Sequence, residues 1–136
     1  MRVDLFVFEL PKGLVMTLLS VSALLATVLY LASGIGIISA MKGREGKASS
    51  LWRWPVLLGL IAHVYALHGE MFRPDAVHFG FGYAISETCF FAIVILLIET
   101  WIHRLHGQLG IVLCLAGLGT LMPILFPGAA IVAVEW

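Results

Sequence analysis

From residue 13 to residue 41 the chain holds no aspartate, glutamate, lysine, arginine or histidine. An uncharged run of that length is long enough to cross a bilayer with tilt. Three further apolar runs follow, at about residues 54–68, 77–100 and 109–126, the second of them near the lower limit for crossing. The 136 residues are 61% hydrophobic and 12% charged, whereas a soluble domain is about half apolar and about a quarter charged. One small core cannot hide this much apolar surface. Lipid cannot solvate bare backbone, so each run is expected to be helical. The expected fold is an all-α integral membrane four-helix bundle, a single domain over residues 1–136.

The polar segments between the runs orient the bundle. The first, "KGREGKASSLWR", holds Lys42, Arg44, Lys47 and Arg53 against Glu45, and the third, "WIHRLHGQ", holds Arg104. In the second, "GEMFRPDAVH", Arg73 is balanced by Glu70 and Asp75. Positive residues stay on the cytoplasmic side, which places both termini and the second linker on the periplasmic side of a bacterial inner membrane. Trp52, Trp54 and Trp101 then fall where a cytoplasmic aromatic belt anchors the helices. The opening "MRVDLFVFELPK" mixes Asp4 and Glu9 into its apolar residues, so it reads as an arm over residues 1–12 along the membrane surface. Pro11 separates it from the first helix.

Zero net charge argues against capture of nucleic acid. Cys89 and Cys114 lie in apolar runs without metal or haem-attachment spacing, and read as inert buried thiols. "GIGIIS" superficially matches a dinucleotide fingerprint, but it closes a membrane helix and no strand precedes it. Ala32, Gly36 and Ala40 recur at i, i+4 spacing, as a small-residue surface for close helix packing. Gly59, Ala62, Ala66 and Gly69 form a similar stripe on the second helix, and Gly117 and Gly119 are packing glycines of the fourth. Hydrolase elbows, zinc-protease motifs and paired half-helices are all missing from the sequence, which reads as non-enzymatic.

Two intramembrane residues carry chemistry. His63 sits at the edge of the small-residue stripe, pointing toward protein. It serves an interhelical hydrogen bond, the axial ligation of a haem iron or chlorin magnesium, or proton handling. His68 lies roughly 140° further around the helix, so the two histidines form no clamp. His68, His78, His103 and His106 are expected at the interfaces, solvated. Glu87 lies near the middle of the third helix, where an unpaired charge costs about 3 kcal/mol. Its face, shared with Gly80, Ala84, Phe91 and Val94, is expected to pack inward. By depth its natural partner is His63, with Ser86 or Tyr83 as weaker candidates.

Three stretches carry a resemblance. "LIAHVYALHGEMF" contains Ala62, His63, Ala66 and Leu67. The third helix opens Phe-Gly-Phe-Gly-Tyr-Ala-x-Ser at residues 79–86, and Leu-Phe-Pro-Gly closes the fourth run at 125–128. In order and spacing these resemble the first half of the cytochrome c assembly protein family, haem-handling inner-membrane proteins, over roughly residues 51–128. The resemblance implies a haem contact through His63. Family members continue with about four further helices and, in the haem-handling branches, a tryptophan-rich periplasmic segment; this chain is expected to be truncated after four helices. Glu87 replaces what is usually an uncharged position in relatives.

Two functions follow. The chain is either a small non-catalytic subunit bracing a larger membrane electron-transfer complex (respiratory, cytochrome-containing or photosynthetic), or a haem-binding or haem-delivery factor acting with a separate partner chain. The lipid bilayer and other membrane subunits are the expected partners. The subunit reading requires no cofactor; haem is the cofactor that the resemblance brings in.

Overall fold

The computed structural model describes residues 12–42, 52–72, 76–102 and 106–133. Residues 1–11 of the arm expected over 1–12, most of the first linker and the tip of each of the other two lie outside them, while Lys12 belongs to the first helix. Five helices and two strands follow in order: α1 Lys12–Lys42, α2 Arg53–Met71, β1 Ala76–Phe79, α3 Phe81–Ile102, α4 His106–Gly119, α5 Met122–Leu125 and β2 Ala129–Ala133. The protein is mostly helical. Three spans, Gly13–Lys42, Phe81–Ile102 and Gln108–Leu125, are long and apolar enough to cross a membrane. Helix α2 is the most polar of the four long helices, with Arg53, His63, His68 and Glu70 in its 19 residues.

Two of the differences from the expected boundaries have a local reason. The fourth helix breaks after Gly119 and resumes as α5, with Pro123 in the first turn of the new segment. Proline lacks an N–H, and its ring collides with the carbonyl four residues back, here that of Gly119. The third helix begins at Phe81 rather than 77, because residues 76–79 are a strand. This β1 pairs antiparallel with β2, Ala76 opposite Ala133 and Phe79 opposite Ala129, with an irregularity between Val77 and His78. The fold is thus not purely α: a two-stranded clasp joins the α2–α3 connection to the segment after α5. A Cβ on Gly80 would lie 2.7 Å from Gly128 Cα, so the backbones just beyond the clasp meet where only glycine fits.

Helix α1 is the centre of the bundle and packs most extensively on α4 and α2, while α2 and α3 touch over a smaller area. The core gathers Ala26, Tyr30 and Ile37 of α1 with Val56, Ile93, Leu109, Leu113 and Ala116. The small-residue surface of α1 is rotated from the expected Ala32, Gly36, Ala40 row. Ala32 is exposed and Ala40 half-buried, while a Cβ on Gly36 would run into the Trp52 ring. The close approach to α4 runs instead through Gly34, where a Cβ would be 2.7 Å from both Gly110 O and Cys114 Sγ. Cys114 and Cys89 are half-buried, Cys89 against Gly119. Gly117 of α4 meets Leu31 and the Thr27 carbonyl.

At this seam Thr27 and Thr120 place their hydroxyls 2.6 Å apart, both side chains buried. Thr27 Oγ1 also lies 2.9 Å from Ala23 O, and Thr120 Oγ1 2.8 Å from Gly117 O. Two hydroxyls have two protons for three contacts, so one of them donates across the seam and its partner donates to a carbonyl. Interhelical hydrogen bonds in membranes average about 0.6 kcal/mol. Thr27→Val is expected to cost about that much in a detergent unfolding titration, because Thr120 retains its own carbonyl. Thr120→Val in that background is expected to add nothing of comparable size.

Candidate functional site

The polar centre lies where α1, α2 and α3 meet. The small-residue face of α2 brings it against α1: Gly59 lies on Tyr30 and Leu29, Gly69 on Leu19, Ala66 is buried and Ala62 packs against the core. A Cβ on Gly59 would be 2.9 Å from the Tyr30 ring. That proximity sets His63, one turn further along α2, beside the same tyrosine.

His63 is 2% exposed. Its Nε2 is 2.9 Å from Ser86 Oγ of α3, and its Nδ1 is 3.4 Å from Tyr30 Oη of α1. A neutral imidazole offers one N–H and one lone pair, and each hydroxyl can donate or accept. With the proton on Nε2, the ring donates to Ser86 and accepts from Tyr30; the other tautomer reverses both bonds. Either way both ring nitrogens have partners. The edges of Tyr30 and Phe90 wall the ring, with centroids 5.8 Å and 5.6 Å away at 69° and 90°. The arrangement ties three helices through one side chain.

Glu87 does not pair with His63. The residue that reaches the imidazole is its neighbour Ser86, and consecutive residues on a helix point about 100° apart. Glu87 is half-buried, with no hydrogen bond or ion pair among the described residues. Its face does not pack inward either, since Phe91 is 53% exposed. The residues of α3 that meet the turn after α4 and α5 are Gly82, Ile85 and Cys89.

The remaining histidines lie toward the ends of their elements. His68 is exposed, its ring 4.9 Å from that of Phe72, and His78 is half-buried with Nδ1 3.2 Å from Ala76 O. His106 opens α4, and His103 lies outside the described residues. Trp54 and Trp101 are exposed, as membrane anchors are, while Trp52 is half-buried.

A second polar feature was not visible in the sequence. Glu70, read there only as a counter-charge in the second linker, is buried in the last turn of α2. With Ser20, Tyr83, Pro123 and Pro127 it lines a cavity of about 190 Å³ at the end of the bundle where α1 begins and α5 ends. Tyr30 and Thr27 were likewise missed. Each is a lone hydroxyl in an apolar run, and nothing local tells an inward hydroxyl from an outward one. Compared with known proteins, the chain matches no family model, no curated protein and no solved structure.

Proposed function

We propose that this protein is a small non-catalytic membrane subunit that packs on and stabilises a larger electron-transfer complex. The observation that carries the reading is the saturation of His63. Both ring nitrogens are engaged by Ser86 and Tyr30, and the ring is enclosed. The polar centre thus serves as an interhelical tie. Large apolar side chains stay exposed along α1 and α3, among them Leu24, Val28, Ile35, Phe91, Ile95 and Ile98, offering broad faces to lipid and to neighbouring helices. The electron-transfer host, cytochrome-containing, respiratory or photosynthetic, is supported by the resemblance to cytochrome c assembly proteins in residues 51–128. A bacterial inner membrane with periplasmic termini is supported by the basic first and third linkers. The start of α1 and the end of α5 share one cavity, so they lie at one end of the bundle.

The haem-handling reading requires His63 to surrender one of its two partners. Gentle purification from native membranes, an optical spectrum and identification of co-purifying chains separate the two. The expected result is stoichiometric recovery with a larger complex and no haem band belonging to this chain. A stoichiometric haem band that disappears in His63→Ala overturns the subunit reading in favour of haem delivery.

A further inference from the structure

Glu87 lies six residues into α3, inside the apolar span Phe81–Ile102 but nearer its start than its middle. The face it shares at i+4, i+7 and i+11 with Phe91, Val94 and Ile98 is not used by the bundle: Phe91 and Ile98 are 53% and 56% exposed, and Val94 is half-buried. His63, the inward base at comparable depth, is already committed to Tyr30 and Ser86. A carboxyl group at this depth needs a donor, because hydrocarbon supplies none.

We propose that this face of α3 is the docking site for a transmembrane helix of a different chain, carrying a lysine, arginine or protonated histidine within its span at the depth of Glu87 to pair with it. The inference rests on the subunit reading above and specifies which face makes the contact. Charge complementarity identifies the occupant. A second copy of this chain places no lysine or arginine at the depth of Glu87, because all eight lie at or beyond the ends of the four long helices. Its four histidines other than His63 also lie toward helix ends or in the connections. The partner is therefore a foreign helix with an inward-facing basic residue, the arrangement by which membrane helices offset each other's charge.

The test uses the full chain in its native membrane, with the photoreactive residue p-benzoylphenylalanine replacing Phe91. The expected crosslink joins one foreign helix, with a basic residue within its span at the depth of Glu87. Glu87→Leu is expected to lower the recovered partner about tenfold, as loss of roughly one paired charge does, and Glu87→Gln to lower it less. Because leucine is compatible with lipid, the variant's own unfolding midpoint is expected to hold; partner loss accompanied by loss of this chain's fold overturns the docking assignment. Crosslinks only to lipid or to a second copy, or undiminished recovery in Glu87→Leu, also overturn it. Failure of any chain to co-purify overturns the subunit reading as well, whereas a complex that crosslinks through other faces leaves that reading standing and removes only this one.

Discussion

Gly82→Val is expected to abolish the folded bundle. Even the first carbon of a side chain at position 82 would lie 2.5 Å from Met122 O and 2.7 Å from Phe126 O. Both obstacles are backbone, so no rotamer change relieves them; α5 must move off α3. Alanine here is expected to cost about 3 kcal/mol, at the upper end of overpacking penalties. Valine adds two methyl groups in the same place. Against a total stability of about 5–15 kcal/mol, the valine variant is expected to lose its cooperative transition when purified protein is titrated from mild detergent into SDS. Gly13→Ala is the matched control. Nothing lies within 4 Å of a Cβ there, and Gly13 stands in the first turn of α1, where alanine meets no obstacle. Its midpoint is expected to stay level or rise.

The second large effect is at His63. Truncation to alanine removes the ring packed between Tyr30 and Phe90, and leaves the Tyr30 and Ser86 hydroxyls buried without the partner they share. Cavity and desolvation costs together come to about 2–4 kcal/mol. The same SDS titration reads the loss on protein free of pigment, which separates the structural role from any ligand. Ser86→Ala alone is expected to cost about 1 kcal/mol, and far less in the His63→Ala background, because its partner is already gone. Equal costs for Ser86→Ala in both backgrounds would show that the His63–Ser86 bond contributes nothing to stability.

How far the molecule was legible varies with the kind of information each feature needs. The first helix was expected at 13–41 and runs Lys12–Lys42, since uninterrupted hydropathy marks where lipid compels helix; the second, expected as a span at 54–68, is a helix over Arg53–Met71 but is not among the three apolar enough to cross. Residues 77–79 misled because Val77, His78 and Phe79 abut an apolar span, while their pairing partner lies some fifty residues away in β2. Local pattern is silent about that partner. Rotation was harder than extent. A membrane helix is apolar toward lipid and toward protein alike, so the row Ala32, Gly36, Ala40 looked as suitable for packing as the neighbouring Gly34 that α4 actually meets. His63 was legible as an inward residue through the glycines beside it. Its partner was not: depth along the axis is the same for Ser86 and Glu87, and the angle around the axis decides between them.

The three-contact, two-proton arrangement at Thr27 and Thr120 has a consequence for biogenesis. Helix α1 is made well before α4, one of the two helices on which it packs most extensively. Until then α1 waits in lipid with a hydroxyl at Thr27 that hydrocarbon cannot solvate. The Ala23 carbonyl, 2.9 Å away, accepts that proton during the wait, and Gly117 does the same for Thr120. When the helices meet, one hydroxyl swings from its own helix to the other, and neither has ever been without a partner. The seam is assembled by exchanging a bond rather than by stripping a polar group bare, which lets two helices separated by the whole synthesis of α2 and α3 find each other late without a penalty for having been inserted early.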